Sequence, residues 1–308
     1  MQLDVVIPTY NRSSLLKKAL GSLLDARIPP TLDVRITVVD NNSTDDTRDV
    51  VLAEQARATI PISYVFEKRQ GRSPALNAGV AATSGSHVGF IDDDEEIDKS
   101  WYEQIVSVFT ELDVDFIGGP YVPRFESAIP DWLPPTHNSV IGVVDGGTER
   151  VPFDRNYQGI LMGGNAVFTR KILETVGPYS TSLGRSGKRL LSCEDEDMYE
   201  RLLAASARGV YVPELIIYHF IPSERLTKRY HRAWCFWQSV SRAALDRIRP
   251  EATRYLLGVP TYFYGRALRG TLQLGVWNRV AASRFSNELS LWELAGFFYG
   301  RHFYRPDS

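Results

Sequence analysis

Six carboxylates fill the seven positions from Asp92 to Asp98, directly after the apolar end of "HVGFI". Repulsion within such a cluster raises carboxylate pKa values and opposes folding, so the charge must be solvated or neutralised. A wet helix start is one reading, because the macrodipole favours acids there by ~0.3–1 kcal/mol each. That accounts for one or two acids, whereas three consecutive aspartates at a strand end ask for a cation. Hard oxygen donors of this kind suit Mg²⁺ or Mn²⁺, which typically bridges one or two carboxylates to substrate phosphates.

A second acidic run, "CEDEDMYERL", places Glu194, Asp195, Glu196 and Asp197 on one helical turn. They cannot all face solvent, so at least one turns toward a cleft or an arginine. A cleft carboxylate beside a cation–phosphate site could deprotonate an acceptor hydroxyl, although acids at a helix start need no such role. Asp40 in "DNNSTDDT" stands at a strand end, where it could accept hydrogen bonds from a ribose or base. Turn chemistry accounts for Asn41, Asn42 and Ser43. Arg72 opens the helical pattern "RSPALNAGV", either as a solvated arginine or as an anion site reinforced by a guanidinium. His219, after "LIIY", is either a satisfied strand-end histidine or a third metal ligand.

These residues need a scaffold that gathers strand ends. The first hundred residues alternate short β-branched runs ("LDVVIPTYN", "VRITVVDNNS", "ISYVFEK", "HVGFID") with helical patterns ("SSLLKKALGSLLDA", "TDDTRDVVLAEQAR", "SPALNAGVAATS"). Such alternation implies right-handed crossovers and a mostly parallel central sheet flanked by helices, an α/β fold. Ligands bind beyond the carboxyl ends of the strands in such sheets, where "PTYNR", "DNNSTDD", "EKRQGR" and "DDDEE" converge. Residues 118–135, rich in Pro and Gly, read as a long excursion. "GILMGGNAVFTRKILETVG" returns to strand then helix, "VYVPELIIYHF" reads as a further strand, and helical patterns dense in Trp, Tyr, Phe and Arg follow from about 223. The organisation is a catalytic region over 1–222 and a helical extension over 223–308.

With 308 residues, 44% hydrophobic and 23% charged, the chain can build a large core. Cys193 and Cys235 are too few for a disulfide framework and lack zinc spacing, which favours a reducing compartment. Neither a leader peptide nor a membrane-spanning run stands out, so a cytoplasmic location is expected. Sequons at Asn11, Asn41 and Asn42 all fall in the proposed ligand loops, where a glycan would block the cleft. The net charge of −2 hides an asymmetry: from His219 onward 14 basic residues face 6 acidic ones, leaving 21 against 31 before it. Basic and aromatic residues together suggest a solvated basic face or attachment to an anionic membrane surface, peripheral on its cytoplasmic side. Nucleic acid is a poorer partner because the remaining surface is acidic. The glycine fingerprint of dinucleotide binding is absent after the first strand, and "GRSGKRL" lacks the Walker A spacing.

Seven segments ("VVIPTYNR", "VVDNNSTDDT", "GRSPALNAGV", "FIDDDEE", "GGNAVFTR", "CEDEDMYERL" and "HFIPSERLT") occur in an order and spacing that resembles glycosyltransferase family 2 over roughly residues 3–240. The resemblance implies a GT-A-like fold, a nucleoside-diphosphate-sugar donor (a UDP-sugar favoured), Mg²⁺ or Mn²⁺, and transfer with inversion to a glycan or lipid-linked acceptor. It places Pro8, Thr9, Tyr10, Arg12 and Asp40 around the nucleotide sugar, Arg72 near the diphosphate, and Asp92 and Asp93 on the donor. Asp94 and His219 become metal ligands, and Arg225 a phosphate contact. Asp195 takes the place of the general base, with Glu194 and Asp197 as alternates because "CEDED" holds two candidate pairs. A sugar-phosphate nucleotidyltransferase and a catalytically silent nucleotide-sugar-binding protein are the rival readings.

Overall fold

The computed structural model describes residues 1–133, 137–187, 189–250, 252–274 and 281–305. Two compact units emerge, one built from 1–124, 143–179 and 195–220, the other from 125–142, 180–194 and 221–308.

The first unit begins as the alternation predicts. Strand β1 (Gln2–Thr9), helix α1 (Ser13–Asp25), β2 (Asp33–Asp40), α2 (Thr47–Arg57), β3 (Ile62–Phe66), α3 (Arg72–Ala81) and β4 (His87–Phe90) follow in order. Then come β5 (Glu95–Ile97), α4 (Trp101–Glu111), β6 (Phe116–Gly118), β7 (Tyr121–Phe125), α5 (Asn138–Ile141, in the second unit), β8 (Val151–Phe153) and β9 (Ala166–Thr169). Helices α6 (Arg170–Val176) and α7 (Glu194–Ala204) and strands β10 (Gly209–Tyr211) and β11 (Ile217–Ile221) complete it.

Eight strands form the central sheet in the order β3-β2-β1-β4-β9-β6-β10-β8. Strands β3, β2, β1 and β4 pair in parallel, as do β6 and β10. Strand β9 runs antiparallel between β4 and β6, and β8 is antiparallel to β10. The pleat sorts β1 between two cores: Leu3, Val5 and Ile7 join α1 and α4, while Val6 faces α3, α6 and α7 on the other side. With both faces covered, every strand end is forced to the rim, which is where polar loops must lie.

A smaller sheet, β5-β11-β7, carries part of the acidic run on β5. The single strand expected over "VYVPELIIYHF" is two strands in different sheets. Pro213 has no N–H for a ladder, and the chain reverses there, with Leu215 N donating to Val212 O at 3.1 Å. The expected Pro- and Gly-rich excursion contains β7.

The second unit is helical, as its pattern predicts. It contains α8 (Lys228–Ile248), the hairpin β12 (Tyr255–Leu256) and β13 (Val259–Pro260), α9 (Thr261–Leu274) and α10 (Ala281–His302). Gly296 and Gly300, one turn apart on α10, let its backbone meet α8; a Cβ on Gly300 would lie 2.8 Å from Val240 Cα. No helix among the described residues is long and apolar enough to cross a membrane.

Candidate functional site

Beyond β1, Thr9 donates through its hydroxyl to Asp93 Oδ2 at 2.9 Å. Arg12 Nη1 then reaches two acids at once, Asp93 Oδ1 at 2.8 Å and Asp94 Oδ2 at 2.9 Å. Pro8 precedes Thr9, the last residue of that strand, and Tyr10 beyond it is exposed. The β4 loop thus presents its aspartates to a guanidinium. Asp93 is buried, and burial outweighs Arg12 in raising its pKa to about 6. The buried Glu95, which accepts from Asp92 N at 2.8 Å, is raised well above the usual range by burial and then by Asp92 and Asp94. Within the acidic run, Arg12 pairs with Asp93 and Asp94, and burial favours the protonated forms of Asp93 and Glu95.

Arg72, first residue of α3, joins the two acidic segments. Its Nε and Nη2 donate to Asp92 Oδ1 at 3.2 and 3.1 Å, and its Nη1 donates to Asp195 Oδ1 at 3.1 Å. Residues 103 positions apart in sequence thereby share one guanidinium that is only 12% exposed. Asp197 accepts instead from Arg201 Nε at 3.0 Å along its own helix, and Arg201 also holds the carbonyls of Val176 and Gly177. Glu194 is buried at the first position of α7 and belongs to the second unit, as does Arg225 in a short 3-10 turn, Ser223–Leu226.

Strand β11 pairs with β5 and places His219 Nε2 at 3.7 Å from Asp94 Oδ1. With Arg12 on Oδ2, Asp94 directs its other oxygen toward the imidazole. A carboxylate oxygen and an imidazole nitrogen are donor types that suit Mg²⁺ or Mn²⁺. No cluster of three or more His, Cys, Asp or Glu side chains forms a closed metal cage among the described residues.

Asp40, at the end of β2, lines a cleft of about 420 Å³ with Ser43, Asp45, Arg48, Tyr64 and Phe66. Ser43 N donates to Asp40 Oδ1 at 2.8 Å, and Tyr64 donates its hydroxyl to Oδ2 at 2.7 Å. Burial, then this bond, pushes the Tyr64 hydroxyl up to about 12, so it remains a donor at neutral pH. The neighbouring Asn41 is consumed structurally. Its Nδ2 donates to the carbonyls of Glu67 and Arg69 at 3.1 and 2.6 Å, and its Oδ1 accepts from Gly71 N at 2.8 Å. This staple fixes the loop that delivers Arg72.

Several site features were not singled out from sequence. Tyr64 and Ser43 hold Asp40. The buried Tyr121 has its hydroxyl pKa raised by burial and next by Glu95, which puts it beside the acids. Gly163 and Gly164 lie against Asp195 and Glu95, where a side chain would collide. The "GG" pair was the only visible signal for the glycines. Tyr121 had none, because it sits in a segment read as an excursion.

The model of glycosyl transferase family 2 matches residues 4–177, more than half of the chain. An uncharacterized glycosyltransferase of Nostoc sp. is 37% identical over 114 residues, 37% of this chain and 34% of that protein. The match thus spans about a third of that relative's length. The glucosyl-dolichyl phosphate glucuronosyltransferase of Haloferax volcanii is 24% identical over 82% of this chain and 80% of its own. Among solved structures, a mannosyltransferase from Pyrobaculum calidifontis in complex with GDP-Man and Mn²⁺ is similar at TM-score 0.63 and 16% identity, over 97% of this chain and 86% of that one. S. aureus TarS 1–349 in complex with UDP is similar at TM-score 0.54 and 17% identity, over 98% and 90%. With a mixed α/β sheet of the GT-A type, a family model over the strand-end loops and relatives of this kind, the chain belongs to glycosyl transferase family 2 and is a glycosyltransferase.

Proposed function

We propose that the protein is an inverting, divalent-cation-dependent glycosyltransferase, with residues 1–222 as catalytic region and 223–308 as helical extension. It moves a sugar from a nucleoside-diphosphate sugar, a UDP-sugar favoured, to a hydroxyl of a glycan or lipid-linked acceptor in polysaccharide or glycolipid assembly. The observation that carries the reading is the single guanidinium of Arg72 shared by Asp92 and Asp195. It supports a donor-binding acid and a separate carboxylate in one site.

In this reading Asp40 accepts an N–H of the base in the cleft it shares with Tyr64, against the exposed ring of Phe66. Pro8, Thr9, Tyr10 and Arg12 border the nucleoside, and Asp92 and Asp93 meet the donor. Asp94 and His219 would hold Mg²⁺ or Mn²⁺, which would supply neutralising charge for the leaving diphosphate. Arg72 turns from its carboxylates toward the same diphosphate. Freed of Arg72, Asp195 takes the acceptor proton on the face of the sugar opposite the leaving group, which gives inversion. Donor binding thereby releases the base, so charge balance couples the two steps. Asp195 is favoured over Glu194 and Asp197 because it faces Arg72, whereas Asp197 is engaged by Arg201.

The product anomer, read by NMR from a UDP-sugar screen with Mn²⁺, tests this. A retained anomer removes the single-displacement scheme. Donor binding without transfer to any hydroxyl or to water supports the silent binding protein instead.

A further inference from the structure

The expectation of an anionic membrane surface names no residues, and the second unit supplies a specific place. The hairpin β12–β13 turns through Leu257 at φ +47° and Gly258 at φ +70°. Positive φ at both turn positions normally selects Asn-Gly, and a left-handed leucine costs roughly 1–2 kcal/mol. Leu256 and Leu257 nevertheless stand at the tip, 54% and 68% exposed.

The tip is continuous with the end of α10. His302 Nε2 lies 2.8 Å from Leu257 O, and the His302 ring is 4.6 Å from that of Phe298. Phe298 in turn is 6.2 Å from Phe303, which is 67% exposed. One apolar patch results, formed by Leu256, Leu257, Phe298 and Phe303.

Two further properties identify the medium it meets. First, the backbone carbonyls at the tip are satisfied from within: Tyr264 donates its hydroxyl to Leu256 O at 3.0 Å, and His302 covers Leu257 O. A loop facing water has no need of this, whereas one entering hydrocarbon must pair its carbonyls. Second, the segments around the hairpin, α9 and the end of α10 carry Arg254, Arg266, Arg269, Arg301 and Arg305, of which Arg266 pairs with Glu293 at 2.8 Å and Arg301 with Asp246 at 3.5 Å. Asp246 anchors both elements, accepting from the Tyr255 hydroxyl at 2.7 Å and from Arg301 at 3.5 Å. Arg247 Nη2 holds the carbonyls of Gly300 and Arg301 at 2.6 and 2.8 Å, fixing the end of α10.

We infer that the β12–β13 turn and the C-terminal end of α10 form a docking surface for an anionic lipid bilayer, with the leucines and phenylalanines entering it and the arginines facing its headgroups. The inference goes beyond the proposed transfer reaction and does not depend on it, since neither donor nor acceptor enters its test.

The test is cosedimentation of the full chain with phosphatidylcholine vesicles with and without phosphatidylglycerol. The wild type is expected to bind the anionic vesicles at low salt. Leu257→Asn, which suits a left-handed turn position, and Phe303→Ser should each weaken binding about tenfold, the scale of one buried apolar side chain. Arg254→Gln should weaken it severalfold in anionic vesicles alone. Phe303→Ser and Arg254→Gln should keep the wild-type melting temperature, Leu257→Asn should keep or raise it, and all three should keep the wild-type oligomeric state. Failure of the wild type to bind either vesicle overturns the inference, as does equal binding by Leu257→Asn. A wild-type dimer that Leu257→Asn converts to monomer, without vesicle binding, also overturns it and makes the patch an interface between copies.

Discussion

One methyl group at Gly163 tests whether the Arg72–Asp195 contact matters to the reaction. Gly163 lies in the 3-10 turn Gly163–Asn165, a conformation alanine adopts freely, so the added Cβ is the whole perturbation. That Cβ would stand 3.0 Å from Asp195 Cγ and 3.2 Å from Arg72 Nη2, and closer still to Asp195 Oδ1. Carbon contacts settle at ~3.5–4.0 Å, so the carboxylate must move by roughly 0.5–1 Å. Overpacking of this size costs about 1–3 kcal/mol of stability. A displaced base of about 1 Å costs roughly 100-fold in turnover. Gly163→Ala should therefore lose about two orders of magnitude in kcat while binding nucleotide in the Asp40 cleft as before. Gly164→Ala is the control: its Cβ would meet Glu95 at 2.5–2.9 Å, giving a stability loss without moving Asp195. Steady-state kinetics with thermal melting of both variants decides. Wild-type kcat in Gly163→Ala, or equal kcat losses in both, would refute the reasoning.

Three further outcomes are expected. Asp195→Asn should keep donor affinity by calorimetry yet lose transfer by about 100-fold or more, and a matched loss of donor affinity would contradict the assigned role. Asp94→Asn should weaken Mn²⁺-dependent nucleotide binding at least about tenfold while leaving metal-free binding unchanged, as titration with and without chelator would show. Asp93, raised by burial from 3.8 to about 6, stabilises the fold when protonated, a contribution present below pH 3.8 and lost as pH rises through 6. Asp93→Asn should thus gain stability relative to wild type as pH rises through 6. Melting temperatures across pH 3.5–7.5 should show that gain vanish below pH 4, and a gain independent of pH would be inconsistent with it.

The alternation of β1 through β4 with α1 to α3 is legible because β1 and β2 are apolar on both faces and α1 carries a helical stripe. Their order also tells which loops reach the rim, so Asp40, Arg72 and Asp92 group together from the sequence alone. The antiparallel insertion of β9 between β4 and β6 is not legible, since a short apolar strand such as "AVFT" does not encode its partner's direction. Likewise, composition does not distinguish Asp195 from Asp197; the direction of each on α7 does, one toward Arg72 and the other toward Arg201. Tyr121 and Glu95 escaped because their importance arises from burial beside other acids, a property of the assembled loops.

The Asn41 staple has a practical consequence for producing the protein. Asn41 begins the sequon Asn41–Asn42–Ser43, but both hydrogens of its amide are spent on the carbonyls of Glu67 and Arg69. An oligosaccharyltransferase acting on the nascent chain would meet that amide before those bonds exist, and the glycan would then prevent the loop from closing. Yeast or mammalian secretion is therefore a poor route to active material, and a bacterial host is the better choice.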